Sequence, residues 1–348
     1  MTHGDSVPLY PLVLDPIYKD KVWGGRTLET LGRTLPGGDT NLIGESWELA
    51  DMAAASPSGE GGAAAYSKIL NGPLNKRALG EVVKEFGPIV TGAARLNPDG
   101  SFPLLLKYLD ATENLSVQVH PSVEFASDHP DARLKSEAWY IVAAEPGAVI
   151  YKGVKAGTTR DVFAAAIEDG TVEKLMIRVP AVAGDCHYLP SGTCHALGGG
   201  ILVAEVQTPS DTTFRVFDWG RAGRELHVED ALACIDYGPA ETSGFEPGTV
   251  SERDDATGRD LVICEHFSIR EWLIPNGGQL TLESDAVAVL MLLSGEAEVR
   301  WGEAGAQALK ARAGNTIVLP AALSAVTLEA SNDATVLEIT IPSEETAA

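Results

Sequence analysis

The chain has 348 residues, with 26 basic and 49 acidic side chains and a formal net charge of −23 at pH 7. A field of that sign repels phosphate backbones, so nucleic acid is not expected as a partner. Hydrophobic residues make up 45% of the chain, which excludes a disordered polymer. The length suits about two domains that fold without disulfide support.

The four cysteines form no C-x-x-C pair, so reduced thiols are expected. The N-terminus lacks the basic region and apolar core of a signal peptide. No run of apolar residues reaches the length of a membrane span. We therefore expect a soluble, cytoplasmic protein with no membrane partner, and the sequence leaves open whether it is a monomer or a homodimer.

Short strands and turns dominate the pattern along the chain. Apolar residues at helical spacing predict helices over about residues 70–92 and 159–176, and a shorter helix over Glu225–Ile235. Between residues 176 and 217, strand-like runs recur about every ten residues and are separated by turn residues. That rhythm is typical of a sandwich or barrel of antiparallel strands, so the fold class is predicted to be mainly β.

Two blocks of the sequence resemble each other and suggest two related units. The block 184–197 reads GDCHYLPSGTCHAL and the block 314–327 reads GNTIVLPAALSAVT, with matched glycines and prolines. His195 falls opposite Ala325, so only the first copy carries this histidine. Residues 237–260 between the two units are polar and rich in Gly, which predicts a linker loop.

Four polar residues form a candidate set of metal ligands. Gln118 and His120 stand two apart in an alternating run and would share one face of a strand, and Glu137 and His195 add a carboxylate and a second imidazole. This set suits Zn²⁺, and Mn²⁺, Co²⁺ or Fe²⁺ are alternatives. A single histidine on a strand is more often a surface or hydrogen-bonded residue. His187 is a rival ligand.

Several motifs recur in an order that resembles one known family. SVQVHP, KSEAWY, GTCHALG and EVQTPSDTTFRVFDWGR follow VWGG, GESWELAD and FPLLLKYLDA. Together they resemble type I mannose-6-phosphate isomerases of the short bacterial form, over about residues 10–341. The resemblance implies two cupin-type jelly-roll barrels with a helical insertion, and one Zn²⁺ per chain. It implies ligation by Gln118, His120, Glu137 and His195.

The resemblance also assigns roles along the chain. Together with the repeat and the polar stretch, it makes residues 1–236 the catalytic, metal-binding domain, 237–260 the linker, and 261–348 a second, metal-free cupin-like domain. Its active-site residues match Lys107, Lys135, Glu205, Asp211 and Arg215 in this sequence. Asp211 and Arg215 stand four apart and would share a face within one strand.

The implied activity is the interconversion of mannose 6-phosphate and fructose 6-phosphate through a cis-enediol(ate), so the expected partner is a small-molecule sugar phosphate. Glu205 is the first candidate for the base and Lys135 the second. No motif identifies the phosphate-binding residues, for which Arg215, Arg221, Lys152 and Arg26 are candidates. The alternatives are an isomerase of an unphosphorylated sugar such as mannose and a non-catalytic sugar-binding cupin. A metal oxygenase is less favoured, because only two histidines fit the site.

Overall fold

A computed structural model describes residues 9–53, 64–238, 245–246, 248–283 and 285–343. Strands dominate the described residues. In chain order they are β1 (Leu12–Val13), β2 (Ile17–Gly25), β3 (Ile43–Leu49), β4 (Asp51–Met52), β5 (Ala65–Tyr66), β6 (Leu105–Ala111), β7 (Val117–Val119), β8 (Glu137–Ala144), β9 (Val149–Val154), β10 (Met176–Pro180), β11 (Cys186–Leu189), β12 (His195–Leu197), β13 (Ile201–Gln207), β14 (Phe214–Phe217), β15 (Val250–Arg253), β16 (Ala256–Ile263), β17 (Ser268–Ile274), β18 (Gln279–Glu283), β19 (Ala288–Ser294), β20 (Glu296–Trp301), β21 (Gln307–Arg312), β22 (Thr316–Leu319), β23 (Ala325–Ala330) and β24 (Ala334–Thr340).

The helices are short and occupy only part of the predicted segments. They are α1 (Leu79–Phe86), α2 (Pro88–Thr91), α3 (Val123–Asp128), α4 (Arg160–Glu168) and α5 (Val228–Cys234), with 3-10 turns at Thr27–Leu31, Val172–Leu175, Glu303–Gly305 and Ala321–Leu323. Gly87, at φ 50°, separates α1 from α2, and the Thr159 side chain caps α4. None of the helices in the described part of the chain has the length and apolarity that a membrane span requires.

The helix α3 was not predicted, and its surroundings explain why. None of its residues is buried, so no apolar periodicity marks it in the sequence. The Ser122 side chain accepts a hydrogen bond from the backbone of Phe125 and satisfies one of the free N–H groups at the start of the helix. A cap rather than a buried face therefore defines this helix.

Two antiparallel sheets face each other and form the first unit. One has the strand order β11-β8-β13-β6-β3-β2, and the other has the order β10-β9-β12-β7-β14. Leu109 and Val203 from the six-stranded sheet pack with Ile150 and Leu197 from the five-stranded sheet. Burial between two sheets is the arrangement of a jelly-roll sandwich. The predicted mainly β fold is confirmed, although the described strands form pairs of open sheets rather than closed barrels.

The strand β13 is buried on both faces and fixes where polar groups can stand. The even-numbered residues of Leu202–Val206 pack into a cluster shared with the second unit, and Ile201 and Val203 pack between the two facing sheets. Because side chains alternate along a strand, Glu205 and Gln207 continue the inner face beyond this apolar cluster. The inner face is thus apolar at one end and polar at the other.

The second unit consists of a seven-stranded sheet, β1-β22-β19-β24-β17-β16-β15, and a four-stranded sheet, β18-β23-β20-β21. Its first strand comes from the other end of the chain, because Leu12 pairs with Val318 and Val13 with Ile317. The predicted first domain, residues 1–236, is therefore not self-contained, because its strand β1 pairs with β22 of the second unit. The two units are interleaved in the sequence.

Part of the predicted linker is strand. Within residues 237–260, β15 and the first half of β16 form a hairpin, and β16 pairs with β17. The strand β15 lies at the edge of its sheet and is mostly exposed, so it carries polar residues and resembles a loop in sequence. Residues 239–244 and 247 lie outside the described residues, and there the linker stays a prediction.

The structure bears out the internal repeat. Gly184 and Gly314 have φ values of 90° and 83°, a backbone conformation that favours glycine. Each is followed by a four-residue strand, β11 in the first unit and β22 in the second, and then by Pro190 or Pro320. The equivalent turns and strands indicate two copies of one arrangement.

A buried ion pair joins the two units. Arg33 contacts Glu48 through two hydrogen bonds of 2.7 Å, and its guanidinium also donates to the backbone oxygen of Gly314. Thr316 on β22 donates to Glu48 Oε2, which also accepts from Arg33, at 3.2 Å. Because both partners are nearly inaccessible to solvent, the pair is not screened, and each charge depends on the other.

Replacing Arg33 by Met should lower the free energy of unfolding by about 3–5 kcal/mol, because Glu48 would be left as an uncompensated buried charge. Urea denaturation followed by circular dichroism measures the change. The exposed pair Arg77–Glu85 supplies the control, and Arg77→Ala should cost less than about 1 kcal/mol. Equal effects of the two substitutions would contradict the role of the buried pair.

Candidate active site

Two rows of cross-strand neighbours face each other at the polar end of the first unit. The row on the six-stranded sheet runs through the adjacent pairs Trp47–Lys107, Lys107–Glu205, Glu205–Trp139 and Trp139–His187. The row on the five-stranded sheet runs through Arg215–Gln118, Gln118–His195 and His195–Lys152. Directly opposed residues in antiparallel strands lie on the same face. Strand register therefore gathers residues that lie far apart in the sequence.

Three potential metal ligands converge between these rows. His120, Glu137 and His195 have exposed fractions of 2%, 0% and 1%. His195 Nε2 lies 3.2 Å from Glu137 Oε1, and His120 Nε2 lies 3.4 Å from Glu137 Oε2. Ligand atoms around a tetrahedral zinc ion are about 3.4 Å apart, as follows from bonds of about 2.0–2.2 Å. The observed separations match a site for a single ion.

Backbone carbonyls orient both imidazole rings. His120 Nδ1 lies 3.0 Å from the oxygen of Thr212, and His195 Nδ1 lies 2.8 Å from the oxygen of Thr193. A carbonyl only accepts, so each Nδ1 carries the hydrogen and each Nε2 presents a lone pair toward Glu137. Burial, helped by the charge of Lys135, lowers the pKa of His120 to about 3, so this ring is neutral at pH 7.

The donor set fits a zinc-type ion. Among the described residues, His120 Nε2 and Glu137 Oε1 make no hydrogen bond of good geometry, although both are buried. Buried polar atoms without such a bond are uncommon in proteins and indicate a missing partner. Gln118 Nε2 lies 3.3 Å from His195 Nε2, so the Gln118 amide group lies beside the three grouped ligands.

Lys135 stabilises the negative charge of the Glu137 carboxylate. Its Nζ lies 2.8 Å from Glu137 Oε2. Burial alone would raise the pKa of Glu137, but the charge of Lys135 holds the pKa well below its usual range. The carboxylate is therefore ionised, as a metal ligand requires.

Lys107 and Glu205 form a buried pair on neighbouring strands. Lys107 Nζ lies 3.0 Å from Glu205 Oε1 and donates to Gln207 Oε1 at 2.7 Å. The indole N–H of Trp139 donates to Glu205 Oε2 at 3.0 Å. Burial alone would lower the pKa of Lys107, but Glu205 and Glu45 raise it above the usual value. Lys107 is thus a fixed positive charge in the pocket wall.

Arg215 and Asp211 also line the pocket, but they do not share a strand. The strand β14 begins at Phe214, so Asp211 lies in the preceding loop and the predicted same-face spacing does not apply. Arg215 is buried, and its Nη1 donates to the backbone oxygen of Glu225 at 2.7 Å. Both side chains reach the pocket, one from a strand and the other from a loop.

The pocket beside the ligand cluster is lined by all five predicted catalytic residues and by several residues that the sequence did not indicate. The unpredicted residues with polar or aromatic side chains include Lys19, Lys21, Glu45, Trp47 and Arg224. Lys19 and Lys21 alternate in PIYKDKVWGG, directly before the VWGG motif, and that alternation was the available signal. Burial alone would raise the pKa of Glu45, but Lys21 and Lys107 lower it to about 2.

Other candidates lie away from the cluster. His187 is buried with its ring centroid 6.4 Å from that of Phe245, and it is not part of the metal-ligand group found among the described residues. Arg26 donates to backbone oxygens near Asn41, and Arg221 binds Asp218. Lys152, Arg26 and Arg221 do not line the pocket.

Comparison with known proteins identifies the family. A family model described as phosphomannose isomerase type I, catalytic domain, matches residues 12–140. The chain is 34% identical over 301 residues to the mannose-6-phosphate isomerase ManA of Bacillus subtilis, covering 84% of this chain and 88% of that protein. The chain belongs to the type I phosphomannose isomerase family. The family membership predicted from the motifs is thereby confirmed.

Further members of the family are similar over nearly the whole chain. The probable mannose-6-phosphate isomerase GmuF of Bacillus subtilis is 36% identical over 329 residues, which cover 92% of this chain and 96% of that protein. A crystal structure of the mannose 6-phosphate isomerase from Bacillus subtilis superposes with a TM-score of 0.81 at 28% identity, covering 95% of this chain and 99% of that chain. A zinc-bound mannose 6-phosphate isomerase shares the fold, with a TM-score of 0.72 at 18% identity.

Replacing His195 by Ala should weaken zinc binding by at least about 100-fold. Even a substitution of a residue that only hydrogen-bonds to a metal ligand lowers metal affinity by about 10–100-fold. Equilibrium dialysis with Zn²⁺, followed by elemental analysis, measures the affinity. We expect one zinc per chain for the unmodified protein. His129→Ala, at an exposed position, should bind zinc normally. Unchanged affinity in His195→Ala would remove this residue from the ligand set.

Proposed function

We propose that this member of the family is a metal-dependent aldose–ketose isomerase that interconverts mannose 6-phosphate and fructose 6-phosphate. One observation carries the proposal: the ligand cluster of His120, Glu137 and His195 lies beside a pocket lined with buried acidic and basic groups. The names of the related proteins support the same activity. A pure sugar-binding protein would not need this combination of ligands and buried charges.

The proposed metal site has four protein ligands. Gln118, His120, Glu137 and His195 would hold one Zn²⁺ per chain, and another divalent ion of similar preference would also suit them. A bound ion of this kind supplies a Lewis acid for sugar oxygens and for negative charge that develops during the reaction. We propose that the unit containing residues 261–348 binds no metal, since Ala325 replaces the histidine there.

Proton transfer between C1 and C2 requires a base close to the carbon-bound hydrogen. We assign this role to Glu205. Lys135, the second candidate, is held as an ammonium ion beside Glu137, and an ammonium ion cannot accept a proton. The Glu205 carboxylate is fixed by Trp139 and Lys107, so its position is set before a substrate enters. Fixed orientation of a reacting group lowers the entropy cost of the chemical step.

The remaining residues stabilise charge and position the sugar. Arg215 would stabilise the negative charge of the enediolate, because its guanidinium lies in a buried wall where electrostatic interactions are strong. Asp211 would orient Arg215. Lys107 would hold a sugar hydroxyl or assist ring opening, since its ammonium group is already fixed by Glu205 and Gln207.

Metal-replete protein should interconvert mannose 6-phosphate and fructose 6-phosphate, and it should act much more weakly on mannose. Removal of the metal with a chelator should abolish the activity, and added Zn²⁺ should restore it. A coupled assay for fructose 6-phosphate, run in parallel with elemental analysis, makes the measurement. Full activity in stripped protein would refute the metal requirement, and equal rates on mannose would favour the unphosphorylated sugar.

Replacing Arg215 by Ala should lower kcat by about 10²–10³-fold, as expected when a donor to a developing negative charge is lost. Zinc content should stay near one per chain, because Arg215 is not a proposed ligand. Arg312→Ala, on the exposed edge strand β21, is the matched control and should leave kcat unchanged. An unchanged kcat in Arg215→Ala would exclude this residue from the chemistry.

A further inference from the structure

The pocket concentrates positive charge in a strongly acidic protein. The chain has a net charge of −23. The pocket nevertheless presents more basic than acidic side chains, with Glu45, Glu205 and Asp211 as the acidic ones. A local reversal of sign inside a cleft indicates that the site receives an anion. The basic residues are Lys19, Lys21, Lys107, Lys135, Arg215 and Arg224.

Most of these basic groups already bind an acidic or backbone oxygen, but Lys19 differs. Its Nζ lies 4.9 Å from the ring centroid of Trp47, and it makes no ion pair among the residues that the structure describes. A cation–π contact leaves the ammonium hydrogens available to an anion. The paired groups are Lys21 with Glu45 at 3.0 Å, Lys107 with Glu205 at 3.0 Å, Lys135 with Glu137 at 2.8 Å, and Arg224 with Asp218 at 2.8 Å.

Lys19 also lies at the end of the pocket away from the ligand cluster. It stands on the edge strand β2, and the strands β3, β6 and β13 separate β2 from β8, which carries Glu137. Lys107 lies between these ends, with its Nζ 5.4 Å from the same Trp47 ring. A hexose 6-phosphate reacts at C1 and C2 and carries its phosphate on C6, at its opposite end. A sugar that reacts at the cluster would therefore direct its phosphate toward β2.

The residues around Lys19 neutralise the Glu45 carboxylate at this end of the pocket, which favours binding of an anion there. Glu45 would repel a phosphate, but Lys21 lies 3.0 Å from its Oε1, and the Trp47 indole donates to its Oε2 at 2.7 Å. The same contacts fix the Trp47 ring beside which the Lys19 ammonium lies. The negative charge of Glu45 is thus neutralised locally, and the charge of Lys19 is left for a ligand.

We propose that Lys19, with Lys21 beside it, binds the phosphate group of the substrate and thereby selects phosphorylated over free sugars. This inference rests on the proposed isomerase function and adds the residues that determine substrate specificity. Lysines on edge strands also prevent association between sheets. That alternative predicts no effect on substrate binding, so kinetics separate the two roles.

Lys19→Met tests the proposal, because methionine keeps an unbranched side chain beside Trp47 and removes the charge. The KM for mannose 6-phosphate should rise about 10–100-fold, as expected for the loss of a hydrogen bond to a charged group, with a much smaller change in kcat. Inhibition by inorganic phosphate should weaken in parallel. The kcat/KM for mannose should not change, and Lys19→Arg should recover most of the affinity.

The matched control is Lys310→Met, which also removes a lysine from an edge strand but lies in the second unit. It should leave KM and phosphate inhibition unchanged. If the unmodified enzyme acts on mannose 6-phosphate while Lys19→Met shows an unchanged KM and unchanged phosphate inhibition, the phosphate site is wrong and the isomerase function stands. If the unmodified, metal-replete protein does not act on mannose 6-phosphate, both proposals fail. If Lys19→Met does not fold, Lys19→Gln takes its place, and its KM and phosphate inhibition are interpreted in the same way.

Discussion

Burial of the six-stranded sheet on both faces is the constraint on which the site depends. One face packs on the second unit and the other on the five-stranded sheet, so water reaches few of its polar groups. A charge in such a place is costly unless a partner compensates it. Glu205 is therefore held by Lys107, and Glu137 by Lys135. The buried pairs that this constraint requires are also the groups proposed to carry the chemistry.

The same burial favours metal binding at one point. Desolvation keeps His120 neutral, whereas the charge of Lys135 keeps the neighbouring Glu137 ionised despite its burial. Neutral imidazole and ionised carboxylate are the forms that bind a metal ion, so no proton need be released from these groups near neutral pH. The backbone carbonyls of Thr193 and Thr212 then fix the direction of the rings. The protein thus prepares both the charge and the orientation of the donors.

Local patterns predicted much of this, and the failures have physical reasons. The alternation in SVQVHP placed Gln118 and His120 on one face, and the structure brings both to the cluster. The contribution of Lys19 could not be predicted, because it depends on the pairing of β2 with β3 and on the position of the Trp47 ring. The strand β15 within 237–260 was missed because an exposed edge strand needs no apolar residues. Long-range register and edge position are not encoded in local composition.

The division of the chain into domains illustrates the same limit and explains why two units are needed. A polar stretch suggested a boundary, but β1 completes a sheet of the second unit, and Arg33 joins Glu48 to the backbone of Gly314. The outer residues of β6, β8 and β13 are apolar because the second unit covers them. Without that cover, the strands that carry Lys107, Glu137 and Glu205 would expose a large apolar face. The second unit, although it lacks the histidine, therefore supports the site by keeping the central sheet buried.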